Sequence, residues 1–170
     1  LPAAIRPKAT RLKNNCAFAV KAMATPVHFH PENAGQAINT LNDEYWPSLT
    51  IDGKTLVFTR LLPVDGHPAN RQEDFYVSKR DTAGFLPAIP LKELNSPMNE
   101  GAQTISADGN LLFFTLCNHP GGFGSCDLWY SRMENGKWSA PQNAGEPVNT
   151  SGWEGQPSWS AFGDELYFAS

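Results

Sequence analysis

Three stretches of the chain share one sequence pattern, and this repetition constrains the fold more than any other feature. Each stretch opens with Asn followed by Thr or Ser, has a Glu a few residues later, and then runs into a polar-to-aromatic segment. Successive glutamates are 56 and 54 residues apart. Repeats of this length, built from short strands and turns, are typical of propellers and solenoids. The repeats begin at Asn39, Asn95 and Asn149, and their glutamates are Glu44, Glu100 and Glu154.

Apolar and polar residues alternate within each repeat, which predicts short β-strands joined by turns. Asp52-Gly53 and Asp108-Gly109 predict tight hairpin turns, because Gly accepts a positive φ and Asp adopts one at low cost. Gly163-Asp164 takes this place in the third repeat. Longer loops are expected over 61–72 and 117–125. The predicted strands cover residues 46–51, 55–60, 74–78 and 85–87 in the first repeat, 102–107, 111–116, 127–131 and 138–141 in the second, and 156–161 and 165–169 in the third.

These strands predict an all-β fold over residues 27–170, in the form of a partial β-propeller. About 2.5 blades are expected, each a four-stranded antiparallel sheet. The third repeat stops at Ser170, after its second strand, which leaves a strand edge without a partner. The chain is therefore expected to be a piece of a longer protein.

One α-helix is predicted before the repeats, within an N-terminal segment of residues 1–26. Apolar residues at spacings of 4, 4 and 3 fall on one face of a helix over 5–24, and Pro26 ends the pattern. One amphipathic helix cannot bury its own apolar stripe, so this stripe is expected to pack against other structure. The stripe consists of Leu12, Cys16, Val20 and Met23.

Composition and charge narrow the classes of partner. The chain is 41% hydrophobic and 18% charged, which is typical of a globular protein. Five of its 13 basic residues precede the first acidic residue, Glu32, so 8 basic residues accompany 17 acidic ones in the rest of the chain. An acidic repeat region argues against nucleic-acid binding. No run approaches the roughly 20 apolar residues that a bilayer span requires.

The sequence carries no pattern that predicts catalysis, a cofactor or a metal. It lacks Gly-x-Ser-x-Gly and His-Glu-x-x-His. The glycine-rich run 121–124 lies between two predicted strands, whereas phosphate-binding loops lead into a helix. His28 and His30 lie on one side of an extended segment, but two histidines without a third ligand do not predict a metal site.

Two cysteines, Cys117 and Cys126, lie at the two ends of the predicted glycine-rich loop. Adjacent strands bring Cα atoms to about 5 Å, which is within disulfide range. A disulfide here would imply an oxidising compartment. The alternative is a pair of reduced thiols in a cytosolic loop, and the sequence leaves both interpretations open.

The recurrent glutamates and two of the tryptophans are the candidate binding residues. Glu44, Glu100 and Glu154 would form a ring of carboxylates that binds a cation or a basic peptide, or each would accept backbone N–H groups at the start of its strand. Trp46 and Trp153 lie near the starts of their repeats and are the candidates for a surface platform. Trp129 and Trp138 are expected to pack in the core, because blades need large residues at repeated positions.

The residues of the repeats also resemble a known family. The pattern is Asn-Thr, then Glu, then Pro-Ser, then Asp-Gly, followed by an aromatic strand, Asp before a second aromatic strand, and Gly-Lys-Trp-Ser-x-Pro. It resembles the WD-like β-propeller repeat of the TolB-type family. It is similar to periplasmic Bacteroidetes proteins in which such a propeller follows helical TPR-type repeats and precedes an OmpA-like peptidoglycan-binding domain. The residues that carry the resemblance are Asn39-Thr40, Asp43-Glu44-Tyr45, 47–50, 52–60, 124–129 and 136–141.

The resemblance implies a location and a role. It implies a periplasmic protein at the outer membrane, and residues 5–24 would be the last helix of a TPR-type region. It implies a scaffold or cargo-handling role with protein partners in the cell envelope, since some relatives belong to the type IX secretion and gliding machinery. Peptidoglycan would be reached only through a domain absent from this chain.

A non-enzymatic, protein-binding propeller is therefore the expected function. Two alternatives remain open. TolB-type propellers also filter substrates in front of serine-peptidase domains, and Trp46 and Trp153 would suit a carbohydrate-binding module.

Overall fold

The computed structural model describes residues 5–65, 67–160 and 162–170. Residues 1–4, 66 and 161 lie outside the described residues; they fall in the predicted N-terminal segment, the predicted 61–72 loop and the predicted strand 156–161. Contacts divide the chain into two units, one up to Asn33 and the other from Ala34 to Ser170. We describe each unit by itself.

The first unit contains one helix, α1 (Arg6–Ala24), in agreement with the prediction. Pro7 lies in its first turn, where a missing N–H costs nothing, and the helix ends before Pro26. No residue of α1 is buried. The predicted burial of its apolar stripe is thus not seen: Leu12, Val20 and Met23 are exposed, and so is Cys16.

The second unit consists of antiparallel β-sheets that follow the repeats. In the first repeat, β1 (Asp43–Leu49), β2 (Thr55–Val64) and β3 (His67–Asp81) pair in that order, and β4 (Gly84–Phe85) and β5 (Ile89–Pro90) both pair with β3. The second repeat has the same plan, with β6 (Glu100–Ile105), β7 (Leu111–Cys117) and β8 (Cys126–Glu134), then β9 (Lys137–Trp138) and β10 (Gln142–Asn143) on β8. The third repeat contributes a pair, β11 (Gly155–Trp159) and β12 (Leu166–Ala169).

The hairpin turns confirm the turn chemistry read from the sequence. Gly53, Gly109 and Gly163 have φ of 68°, 76° and 73°. The N–H of each glycine donates to the carbonyl three residues earlier, over 2.9, 2.9 and 3.0 Å. In the first two turns an Asp carboxylate also accepts the N–H two residues on, so the turn is closed from both sides.

Two sequence predictions of strand boundaries are wrong. The expected loop over 61–72 is instead an extension of the β2–β3 hairpin, in which Leu61 pairs with Glu73 and Pro63 with Arg71. Pro63 and Pro68 disguised this strand, because a proline lowers the strand signal although an end of a hairpin tolerates it. The single fourth strand is two dipeptide strands, since Pro87 and Pro141 cannot donate to a ladder.

The core lies between the first two sheets. Phe75 of β3 meets Phe114 of β7 edge to face, with ring centroids 5.2 Å apart, and both rings are fully buried. Trp129 is buried in this core and Trp138 packs against it, which places both where the sequence predicts. The other buried residues of this cluster are Val57, Leu91, Leu94, Ile105, Leu112 and Leu116.

Candidate functional site

The Asn that opens a repeat ties that repeat to the preceding sheet. The Asn149 amide is buried; its Oδ1 accepts the Leu128 N–H at 2.8 Å and its Nδ2 donates to the Leu128 carbonyl at 2.9 Å. Asn95 makes the same two bonds to Phe75, at 2.8 and 3.0 Å. Each side chain thus acts like one residue of an added strand. The Asn-Thr pair of the pattern is therefore a junction between repeats.

The Thr or Ser that follows holds the recurrent Glu. Thr40 donates to Glu44 and Thr150 to Glu154, each hydroxyl at 2.6 Å and each backbone N–H to the second carboxylate oxygen. Ser96 donates its hydroxyl to Glu100. These bonds fit the structural alternative for the three carboxylates. A binding role for them stays a prediction.

Glu44 and Glu100 differ in the residue that lies opposite them on the next strand. Arg60 is opposite Glu44 and donates to it at 2.8 Å, whereas Leu116 is opposite Glu100. Burial opposes ionisation of Glu44, but the Thr40 hydrogen bonds and the Arg60 charge outweigh it and lower its pKa. Burial raises the pKa of Glu100 to about 7, and the nearby Asp74 carboxylate adds to this. One oxygen of Glu100, Oε2, has no hydrogen-bond partner within the described part of the chain.

Glu100 therefore predicts a pH-dependent stability. Its pKa is higher in the folded protein than its ordinary 4.5, so the folded state holds the proton more tightly. The free energy of unfolding should therefore fall by on the order of 2 kcal/mol as the pH rises from about 4.5 to about 7. Above pH 7 it should stay at this lower value. In Glu100→Gln this part of the fall should be absent. Urea denaturation at a series of pH values measures it, with the exposed Glu134→Gln as the control; parallel curves for wild type and Glu100→Gln would contradict the prediction.

A β-bulge at the same place in every repeat presents the residue two positions after the Glu. The pairing register shifts in β1, β6 and β11, and Trp46, Ala102 and Gln156 have φ of 53°, 50° and 57°. A positive φ is uncommon for residues other than glycine, and for a bulky residue it is strained by about 1 to 3 kcal/mol. Bulges of this kind redirect a side chain and often lie beside functional sites. In the first repeat the residue so presented is a tryptophan.

Gln103 fixes the backbone of Trp46. It is buried and lies where the first and third repeats have Pro47 and Pro157. Its Nε2 donates to the Trp46 and Val57 carbonyls, and its Oε1 accepts the Thr59 hydroxyl at 2.8 Å. From the sequence alone this departure from the repeat has the look of ordinary drift; the contacts show a buried amide that joins two sheets behind Trp46.

The backbone beside Trp153 is held by the start of β8, which follows the loop between β7 and β8. Residues Cys117 and Cys126 are paired across these strands and form a disulfide bond. The Cys126 carbonyl accepts the Glu154 N–H at 2.9 Å, directly beside Trp153. The Trp153 ring lies against Gly155, where an added Cβ would be 2.7 Å from ring carbon Cζ2. Only a glycine leaves room for the ring in this position.

Trp46 and Trp153, which lie 107 residues apart in sequence, line one pocket of about 210 Å³. Both side chains are substantially exposed, at 42% and 39%. We call this site the tryptophan pocket. The structure thus brings together the two tryptophans predicted as a surface platform, while the three recurrent glutamates are not among its lining residues. Its polar wall consists of Glu73, Asn99, Thr115 and Gln156.

Glu73 gives the pocket its charge. Its Oε1 accepts the Tyr45 hydroxyl at 2.7 Å, and its carboxylate lies over Gly101, where an added Cβ would be 3.1 Å from Oε2. Burial and the bond to Glu73 raise the pKa of Tyr45, so this tyrosine is a neutral donor. Within the described residues no cationic side chain forms an ion pair with Glu73. Sequence reasoning missed Glu73, since nothing in its repeat position marks it.

A second, larger cavity of about 570 Å³ opens between the hairpin turns of the first two sheets. Core residues such as Val57 and Ile105 form its depth, and Lys79 and Asp108 are among its polar lining. Its charges are of both signs, and two of them, the Asp52 and Asp108 carboxylates, belong to the recurring turns. We therefore regard it as the gap between neighbouring sheets.

In comparisons with known proteins, neither a family model nor a curated protein sequence matches the chain. Among the described residues, no helix is both long enough and apolar enough to cross a membrane. The same residues contain no group of three or more His, Cys, Asp or Glu side chains arranged to hold a metal ion.

Proposed function

We propose that this chain is a non-enzymatic binding module of the cell envelope, part of a β-propeller of about 2.5 blades, that binds a protein partner through the tryptophan pocket. The observation that carries the proposal is that Trp46 and Trp153, from the first and third repeats, flank one pocket. Aromatic side chains that are partly exposed and rigidly held are the residues that most often dominate the energy of a protein interface.

Three further observations support it. The two sheets share one strand plan, as successive propeller blades do. The positive φ of Trp46 and the bond from the buried Gln103 to its carbonyl hold the Trp46 backbone before a partner arrives, which lowers the entropy lost on binding. The Cys117–Cys126 disulfide supports a periplasmic, outer-membrane-associated location, because disulfides persist in oxidising compartments.

A carbohydrate-binding module is the second candidate. The observation that favours it is the pair of carboxamide side chains, Asn99 and Gln156, in the lining of the tryptophan pocket. Amides supply both donors and acceptors, which suits hydroxyl groups.

The proposal predicts that wild-type protein binds a subset of an array of short random-sequence peptides. Trp46→Ala and Trp153→Ala should each weaken that binding about 30-fold, the usual cost of losing a dominant interface aromatic. Phe162→Ala, which removes an exposed ring outside the pocket, should leave it unchanged. If the protein binds only to a glycan array, with the same dependence on both tryptophans, the partner is a carbohydrate and not a protein. Binding that is unchanged in both Trp46→Ala and Trp153→Ala would overturn the proposal.

A further inference from the structure

We infer that the tryptophan pocket recognises a cationic side chain, a lysine ammonium or an arginine guanidinium, on the bound partner. The inference rests on the proposed function and names the partner's chemistry at that site. Its basis is the juxtaposition of two indole rings with one carboxylate around a single cavity of about 210 Å³.

The rings supply the first part of the recognition. The face of an aromatic ring carries negative charge density, and tryptophan attracts a cation more strongly than Tyr or Phe does. Elsewhere in this chain such contacts already occur: the Arg60 guanidinium lies 4.1 Å from the Tyr76 ring centroid. Trp46 and Trp153 have no cation of this kind over them among the described residues. Both rings are exposed and so can receive one from outside.

Glu73 supplies the second part. Its side chain is half-buried in the pocket wall, so a cation placed there would lose water and gain a charge-assisted hydrogen bond. Oε1 is engaged by the neutral Tyr45 hydroxyl, while no hydrogen bond of the described residues is made by Oε2. Arg71 forms its ion pair with Asp43, at 3.0 Å, and neither residue is part of the pocket lining.

The remaining lining is compatible with a cation and gives no reason for an anion. Gln156 offers an amide oxygen, and the Asn99 Oδ1 already accepts the Glu73 backbone N–H at 3.0 Å. Thr115 offers a hydroxyl whose oxygen already accepts the Gln156 backbone N–H at 3.1 Å. Within the described part of the chain, no Lys or Arg lines the pocket. A purely apolar ligand would leave the half-buried carboxylate without a counter-charge, which is costly. Charge complementarity therefore selects a basic side chain over an acidic or aliphatic one.

The test uses the full chain and four small probes: the N-acetyl N-methylamides of lysine and arginine, and their uncharged counterparts made from norleucine and citrulline. The readout is the indole N–H signals of Trp46 and Trp153 in ¹H–¹⁵N spectra, assigned through Trp→Phe variants. We expect the lysine and arginine probes to shift both signals, with dissociation constants at least about fivefold lower than those of the uncharged probes. The difference should shrink at high salt.

Two variants isolate the carboxylate. Glu73→Gln should weaken the charged probes about fivefold or more and leave the uncharged ones unchanged. Tyr45→Phe removes the hydroxyl that Glu73 accepts, so it should leave charged-probe binding as tight or tighter; this keeps the test decisive if Glu73→Gln disturbs the fold. Equal binding of charged and uncharged probes, or no change in Glu73→Gln with an intact fold, would overturn the inference.

The experiments distinguish a failure of the cation inference from a failure of the proposed function. Peptides that bind through Trp46 and Trp153 regardless of their Lys and Arg content would sustain the binding module and reject the cation. Indole shifts caused by disaccharides but not by the charged probes would reject the cation in favour of the carbohydrate-binding module.

Discussion

Replacing Gly124 by alanine is expected to lower the free energy of unfolding of the repeat region by about 4 kcal/mol. A Cβ at this position would lie 2.1 Å from the Gly152 carbonyl oxygen and 3.0 Å from that of Thr150. Both obstacles are backbone, so no rotamer change relieves them. The Gly124 N–H also donates to the buried Asp127 carboxylate at 3.1 Å, which holds the loop in this position. Urea denaturation followed by circular dichroism measures the loss.

Gly121→Ala is the matched control in the same loop. Its Cβ would lie 3.3 Å from the His119 ring and 3.7 Å from the Trp129 ring, so it would meet side-chain atoms at distances far longer than 2.1 Å. We expect a loss below about 1 kcal/mol. Because the loop adjoins the segment that carries Trp153, Gly124→Ala should also weaken binding at the tryptophan pocket in the molecules that remain folded. Equal small effects of the two substitutions would mean that the loop does not approach the third repeat as described.

Replacing Asn149 by alanine is expected to cost about 3 kcal/mol. The substitution removes both bonds to the Leu128 backbone and a third, to the Asn143 oxygen at 2.7 Å. The buried Leu128 N–H then loses its acceptor, which costs more than the loss of an exposed bond, whereas the Leu128 carbonyl keeps the Ala144 N–H at 3.0 Å. The unfolding free energy in urea measures this effect.

The first repeat provides the control for Asn149. Asn39 occupies the same place in the pattern, but it makes no side-chain hydrogen bond within the described part of the chain. Asn39→Ala should therefore cost about 1 kcal/mol or less, whereas Asn95→Ala should behave like Asn149→Ala because it makes the same pair of bonds to Phe75. Similar losses at all three positions would show that the pattern reflects something other than docking onto the preceding sheet.

The sequence predicted what depends on near neighbours in the chain. The turns at Gly53 and Gly109 need a positive φ at the glycine and an Asp directly before it, and both requirements are visible in a dipeptide. The extended β2–β3 hairpin was missed, because Pro63 argues locally against a strand whose pairing with Arg71 is decided by the partner strand.

The candidate site likewise contains residues that the sequence predicts and residues that it does not. Trp46 and Trp153 were recognisable as candidates from their places in the repeats, and their union in one pocket depends on how three repeats stack. Gln103 and Glu73 were not recognisable, because each owes its role to a residue of another strand: Gln103 to the Trp46 carbonyl, and Glu73 to the Tyr45 hydroxyl. Contacts of that range leave no local signal in a single sequence.

The central claim is that the two tryptophans form one binding site, and a double-mutant cycle on a peptide that binds wild type tests it most directly. Affinities would be measured by calorimetry for wild type, Trp46→Ala, Trp153→Ala and the double variant. Because both rings would contact the same group, the account predicts that the double variant loses clearly less than the sum of the two single losses. Losses that add independently, or single variants that bind like wild type, would contradict a shared pocket.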